Sequence, residues 1–262
     1  MESDKKTFID FSNKNILITG GSRGIGNACA KLFAELNGNV IITYKTNILK
    51  AKETLSELDN KSNNHNFFQL DISSPVNIKY FYEALIKKYD KIDVLINNAA
   101  IYIEHKINEV SYEEWQRSWN ETISTNLIGI TNLSYFIARQ MIENGGGKIV
   151  NISSRGAFRG EPDYPAYGAS KAGLNSFSQS LAKALAPYNV IVGVIAPGFV
   201  ETDMASEFIN GKIGEETRKQ SPLNRFAKPE EIAKIIAVFA ADGFEYMTGG
   251  IIDINGASYL RS

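Results

Sequence analysis

Thr19-Gly20-Gly21-Ser22-Arg23-Gly24-Ile25-Gly26 decides how this 262-residue chain is read. The apolar run Ile16-Leu17-Ile18 enters it and the amphipathic stretch Ile25 to Leu36 leaves it, so the segment predicts a turn from strand to helix. Glycine at such a turn lets the backbone bend tightly and come close to a pyrophosphate. The exposed N–H groups and dipole of the following helix N-terminus stabilise the phosphate charge. A glycine-rich turn alone is a weak signal; its position between a strand and a helix makes it a candidate nucleotide cradle.

Working outward, short apolar runs alternate with longer amphipathic ones. Val40-Ile41-Ile42, Phe67-Phe68, Val94-Leu95-Ile96, Lys148 to Ile152, Val190 to Ile195 and Ile251 to Ile254 read as strands, separated by helical stretches. The strands are apolar throughout rather than alternating, which belongs to a parallel sheet covered on both faces. The expectation is an α/β, Rossmann-type three-layer doubly wound parallel sheet of about seven strands, in a single nucleotide-binding domain over 1–262 with 1–10 flexible. Helix starts carry their own chemistry: Ser111 with Glu114 forms a capping box, and Pro229-Glu230-Glu231 puts proline and acids in a first turn. Ligands of such sheets bind beyond the carboxyl ends of the strands.

Composition narrows the classes. With 44% hydrophobic and 22% charged residues the chain has the makeup of a globular protein, and a formal net charge of −1 gives no general attraction to nucleic acid or anionic membrane. Met1 to Asn15 is polar, without the apolar core of a secretion signal, and no apolar run reaches the ~18 residues of a membrane span. A cytoplasmic location is expected. The one cysteine, Cys29, lies at helical spacing among Ala28, Ala30, Leu32 and Phe33 and reads as an inert core thiol. His65 and His105 lack clustered ligands, so no metal site is expected.

The spacing Gly20-x-x-x-Gly24-x-Gly26 resembles the short-chain dehydrogenase/reductase family, and the resemblance extends from about Phe11 to Gly256. Asp71-Ile72 follows the third strand and Asn97-Asn98-Ala99-Ala100 the fourth, with Ala100 in place of the family's usual glycine. Asn126, Ser153-Ser154, Tyr167-Gly168-Ala169-Ser170-Lys171 and Pro197-Gly198 come next, in the family's order. The pattern is most like that of the 3-oxoacyl-[acyl-carrier-protein] reductases, including Pro197 to Met204 and Pro222 to Arg225. Two departures stand out: Gly145 and Tyr188 occupy positions where those reductases keep arginines for docking the carrier protein, and Asn255-Gly256-Ala257 replaces Asp-Gly-Gly.

Reducing a carbonyl takes hydride on carbon and a proton on oxygen. Tyr167 is the expected proton donor, and Lys171, one helical turn on, the charge that lowers its pKa. The resemblance implies that Ser154, thirteen positions before Tyr167, binds the substrate oxygen, and that Asn126 holds a water linking Lys171 to solvent. It also implies a nucleotide held by Gly20, Ser22, Arg23, Gly24, Ile25 and Gly26, then by Lys45, Asp71, Ile72, Asn98 and Ala99. Tyr167, Lys171, Pro197, Gly198, Val200 and Thr202 complete that set. The second strand ends in Thr43-Tyr44-Lys45, without the acid that NAD-binding members place on the ribose, so Arg23 and Lys45 point to NADP(H).

Two chance matches are set aside: Tyr102 with Lys106, a second Tyr-x-x-x-Lys without an upstream serine, and Ser180 with Lys183 inside a helix. The substrate pocket is expected among Ile101, Tyr102, Arg155, Phe158, Arg159, Tyr164 and Phe199, with Met204 to Pro222 as a lid or a subunit contact. The substrate is a small carbonyl or alcohol: a 3-oxoacyl thioester, or a sugar, steroid or secondary-metabolite ketone. A non-catalytic nucleotide-binding protein is the reading from another class. The resemblance implies a homotetramer or homodimer, for which Leu133, Phe136, Ile137, Leu174, Phe177 and Leu181 suit either a subunit contact or the protomer core.

Overall fold

The computed structural model describes residues 9–58, 64–202 and 211–261. Seven parallel strands form one sheet in the order β3-β2-β1-β4-β5-β6-β7. They are β1 (Asn15–Ile18), β2 (Asn39–Tyr44), β3 (Asn66–Gln69), β4 (Val94–Asn97), β5 (Gly147–Ile152), β6 (Val190–Pro197) and β7 (Ile251–Ile254). The helices are α1 (Gly24–Glu35), α2 (Ile48–Ser56), α3 (Pro75–Lys88), α4 (Tyr112–Ile123), α5 (Ile130–Glu143), α6 (Gly156–Arg159), α7 (Pro165–Leu185), α8 (Gly211–Lys219) and α9 (Pro229–Ala240). The expected Rossmann-type α/β sheet is present, with each expected strand in its place. The N-terminal segment expected to be flexible lies outside the described residues except for its last two, as do residues 204–210 of the candidate lid.

The strands separate two apolar cores by simple alternation. Ile16, Ile18, Val94 and Ile96 face one cluster with α1 and α9, while Leu17 and Leu95 face the other with α3, α5 and α7. Cys29 is buried in the first cluster, and burial pushes its thiol far above the ordinary value, as an inert thiol requires. Leu133, Ile137 and Leu174 are fully buried in the second, so they are protomer core rather than subunit contacts, while Phe136, Phe177 and Leu181 pack at its margin.

Helix starts follow the sequence chemistry. Ser111 Oγ accepts from Glu114 N (3.2 Å) and Glu114 Oε2 from Ser111 N (2.9 Å), closing the expected capping box. Ser74 caps α3 ahead of Pro75, and Asn47 caps α2. Between α4 and α5 the chain widens into a π-helical turn, Ser124–Gly129, that sequence periodicity does not reveal. Its Gly129 presses on the β3–α3 connection so closely that a Cβ there would stand 2.0 Å from Ile72 O.

Strand β6, paired with β5 and β7, is buried along its whole length. A Cβ at its Gly193 would meet the Phe239 ring of α9 at 2.0 Å, so glycine is what lets α9 lie flat on the sheet. Gly193→Val is expected to lower unfolding stability by about 1–3 kcal/mol through overpacking, read as a drop in the denaturation midpoint. An unchanged midpoint would show that α9 yields.

Candidate active site

The turn after β1 is built by Thr19 as much as by its glycines. Buried Thr19 Oγ1 accepts from Asn98 N (2.9 Å) and Ala99 N (3.0 Å), while Asn98 Nδ2 donates to Thr19 O (2.9 Å) and Gly20 O (3.1 Å). The loops leaving β1 and β4 are thereby tied together. Gly20 has φ +64°, and a Cβ at Gly26 would stand 2.4 Å from Gly20 O, so both glycines are required by the close approach. The sequence reading singled out the glycines and missed Thr19; a hydroxyl directly after the strand, at the start of such a turn, is the signal available.

A cavity of about 440 Å³ runs along the carboxyl ends of the strands. Ser22, Arg23, Gly24 and Ile25 at the start of α1 line one end, with Gly20 beneath them. Lys45, Asp71, Ile72, Asn98 and Ala99 form the wall beyond β2, β3 and β4. Ser154, Tyr167 and Lys171 stand at the other end, facing Pro197, Gly198, Val200 and Thr202. Of the expected catalytic and nucleotide-binding residues, Gly26 and Asn126 do not line it. Gly26 shapes the turn from below; Asn126 acts from behind the wall, accepting from Ile101 N (2.8 Å) and donating to Ile101 O (2.9 Å) and Ser170 Oγ (3.3 Å).

The groups at the far end are deeply buried. Lys171 is 2% exposed and its Nζ donates to Ile152 O (2.7 Å); burial pushes its ammonium down to about 7. Its Nζ lies 5.6 Å from the Tyr167 ring centre. The Tyr167 phenol is pushed up to about 12, chiefly by burial, with Ser154's hydrogen bond lowering it and Glu161 raising it. The expected lowering by Lys171 is not among these causes. The protein groups alone hold this phenol protonated at neutral pH, chiefly through its burial.

Tyr167 is placed by α7, whose first turn is held from the β4 loop. His105 Nε2 accepts from Ala166 N (3.2 Å), and its Nδ1 faces Ile103 O at 2.8 Å, so the neutral ring bridges two backbones. Its role is a cap for the helix carrying Tyr167, which its isolation in sequence did not suggest. Tyr102 stacks on Tyr164 (centroids 3.7 Å apart) and meets Tyr167 edge-on (4.6 Å), forming an aromatic wall. Its partner in the second Tyr-x-x-x-Lys, Lys106, instead pairs with Glu104 and Glu109, and Ser180 Oγ bonds Ser176 O on an exposed face of α7.

Ile101, Tyr102, Arg155 and Phe199 line the cavity as expected; Phe158, Arg159 and Tyr164 do not. Glu161, not singled out in sequence, lines it too, and burial raises its carboxyl above the usual range. Lys45, expected to face a ligand phosphate, is ion-paired with Asp71 at 3.0 Å. Among the described residues no group of three His, Cys, Asp or Glu side chains is placed to hold a metal ion, and no helix is long and apolar enough to cross a membrane.

This geometry has close counterparts. The short chain dehydrogenase family matches residues 14–212. The chain belongs to this family. It is 39% identical over 246 residues to the 3-oxoacyl-[acyl-carrier-protein] reductase FabG of Chlamydia trachomatis, covering 93% of this chain and 96% of the relative. To the enzyme of the same name from Aquifex aeolicus it is 36% identical, covering 96% and 99%. A short chain dehydrogenase from Burkholderia cenocepacia, solved in complex with NADP, superposes with a TM-score of 0.86 at 26% identity, covering 95% of this chain and 98% of that one. The protein is an oxidoreductase of the short-chain dehydrogenase family, with the nicotinamide cofactor that the family uses.

The residues fit such a cofactor. A helix leaves its first N–H groups without intrahelical partners, and α1, unlike α2, α3 and α4, has no side-chain cap to receive them. Its N-terminus borders the cavity, where Gly24 at φ +52° lies so near Thr202 that a Cβ would be 3.0 Å away. Thr19→Val keeps the shape but leaves Ala99 N–H without its acceptor; it is expected to cost roughly 1–3 kcal/mol in denaturant unfolding and to weaken nucleotide binding measured by calorimetry. Unaltered stability and affinity would remove Thr19 from this account.

Proposed function

We propose that the protein interconverts a ketone and a secondary alcohol with NADP(H), with Tyr167 exchanging the proton at the substrate oxygen. The observation that carries this reading is that Ser154, Tyr167 and Lys171 end the same cavity that the uncapped helix α1 begins. Bound nicotinamide supplies hydride at the carbonyl carbon. Ser154 and Tyr167 bind the carbonyl oxygen from one side, and the Tyr167 phenol, protonated up to about 12, serves as the acid. Lys171, anchored on Ile152 O, stands beside the ring to receive a proton or to stabilise a phenolate, and holds the ribose as the resemblance implies. Asn126 fixes Ile101 and Ser170 behind Lys171, the position from which the resemblance has it passing the proton onward. An intact group of this kind has no use in a protein that only binds nucleotide.

The preference for NADP(H) rests on Arg23 and Lys45 and on the lack of an acid at the end of β2. Asp71 holds the Lys45 ammonium at the edge of the cavity, leaving that ammonium further donors for a 2′-phosphate. The Burkholderia neighbour's NADP supports the same choice. The double variant Arg23→Ala/Lys45→Ala is expected to lose about 10²–10⁴-fold in kcat/KM for NADPH and little for NADH, since each of the two charge-assisted contacts contributes roughly 1.5–3 kcal/mol. Equal loss with both cofactors would refute the assignment.

The relatives' names make a 3-oxoacyl thioester the first substrate to test. Gly145, at φ +82°, and the exposed Tyr188 stand where carrier-docking arginines are expected, which favours a second reading: a small ketone not tethered to a carrier. We assign the protein to a homodimer or homotetramer, as the resemblance implies, and to the cytoplasm.

NADPH oxidation followed at 340 nm against acetoacetyl thioesters, a keto sugar, a steroid ketone and diketones tests the reaction. Tyr167→Phe should lower turnover by about 10²–10⁴-fold while nucleotide affinity holds. Reduction needs the protonated phenol, which a pKa raised to about 12 keeps in place below that value, so its kcat/KM should stay level from neutral to moderately alkaline pH. Alcohol oxidation needs the deprotonated form and should rise with pH over the same range. Matching profiles in both directions would exclude Tyr167 as the proton carrier.

A further inference from the structure

At the substrate end of the cavity two guanidiniums converge on one neutral oxygen. Arg155 Nη2 donates to Gln220 Oε1 at 2.6 Å and Arg159 Nη1 donates to the same atom at 3.0 Å. Arg155 directly follows Ser154, lines the cavity and is only 3% exposed, so it is not the surface arginine that its residue type suggests. Its guanidinium lies against Phe199, 4.6 Å from the ring centre, and its Nη1 is buried without a hydrogen-bond partner. Burial and the like charge of Arg159 push it down to about 10, an arginine held against its preference.

Such an arrangement is poorly matched to what it holds. An amide oxygen carries no net charge, yet it receives two cationic donors while a third donor on Arg155 goes unused. A carboxylate offers two charged oxygens and about four lone-pair sites in the planar geometry that a guanidinium fork prefers. The nearby Glu161 acts on both guanidiniums through space, but burial raises its carboxyl, which weakens its hold as a counter-charge. Gln220 is exposed and follows the last turn of α8, so its amide is free to give way to a stronger acceptor.

We propose that Arg155 and Arg159 form an anion subsite beside the reacting carbonyl, with Gln220 Oε1 standing where a substrate carboxylate oxygen sits. The ligand class is a small oxo acid whose carboxylate lies within a few bonds of the ketone. The inference rests on the reading that Ser154 and Tyr167 hold the carbonyl oxygen. It deepens the untethered second reading and sets this chain apart from its thioester-named relatives. A thioester presents a neutral oxygen at that place, no better matched to two cations than Gln220 itself.

The test uses the full chain with NADP⁺ and two matched pairs: acetoacetate with methyl acetoacetate, and 2-oxobutanoate with its methyl ester. Affinities are read by calorimetry and turnover by NADPH oxidation. At least one acid should bind about tenfold or more tightly than its ester, an advantage lost in Arg155→Gln and reduced about 3–10-fold in Arg159→Gln, an exposed position that leaves the core intact. Gln220→Ala removes the competing oxygen and should tighten acid binding several-fold without changing ester binding, a gain that a purely structural role does not produce. Esters bound as well as acids in both pairs, or acid binding indifferent to Arg159→Gln and Gln220→Ala, would overturn the subsite. The binding measurement stands apart from chemistry: acids that bind with the expected pattern but are not reduced would support the subsite and count against the carbonyl-reduction reading instead.

Discussion

β1 sits between β2 and β4, so the chain leaves it towards β2 on one side and returns to β4 on the other. The loops at the carboxyl ends of β1 and β4 therefore part in opposite directions and leave a crevice over the sheet, which no local interaction could open. The rest follows from keeping that crevice narrow and fixed. Thr19 and Asn98 tie its two lips together, and Gly20 and Gly26 let backbone approach backbone where any side chain would push them apart. The N-terminus of α1 then opens onto the crevice with its N–H groups unclaimed by any side chain.

The same edge of the sheet carries a second layer of buried polarity. Asn97 Nδ2 donates to Asn151 Oδ1 (2.8 Å) and Ser134 Oγ (3.0 Å), and Asn151 Nδ2 donates to Ser178 Oγ (2.8 Å), joining β4 and β5 to α5 and α7 beneath the site. Polar groups this deep are costly unless paired, and paired they fix register and helix position together. They fix α7, and α7 carries both Tyr167 and Lys171. His105 secures its first turn from the opposite side. A side chain on a helix anchored at both its start and its middle has little freedom to drift, as the proton exchange proposed for Tyr167 requires.

Burial sets the electrostatics of the site. Lys171, Arg155, Glu161 and Tyr167 all shift in the direction that disfavours their charged forms. Each is thereby sensitive to a charge brought in by a ligand, since the protein itself supplies little compensation. This is the common ground between the proposed nucleotide end of the cavity, which the uncapped α1 borders, and the proposed substrate end, where Arg155 shares the Gln220 amide oxygen with Arg159.

The sequence by itself determined the layer order, the strands and the glycine turn, because short apolar runs, helical periodicity and glycine conformations are local properties written along the chain. It also determined the family, through Tyr167, Lys171, Ser154 and Asn126 in order. Tertiary structure alone decided what each residue faces. Asn126 lies behind the cavity wall, Lys45 is paired with Asp71, Arg155 is buried, and His105 caps α7 from a distant loop. Those outcomes depend on contacts between segments tens of residues apart, such as Arg155 with Gln220. Burial and the pKa shifts that follow from it arise only when the sheet has brought them together.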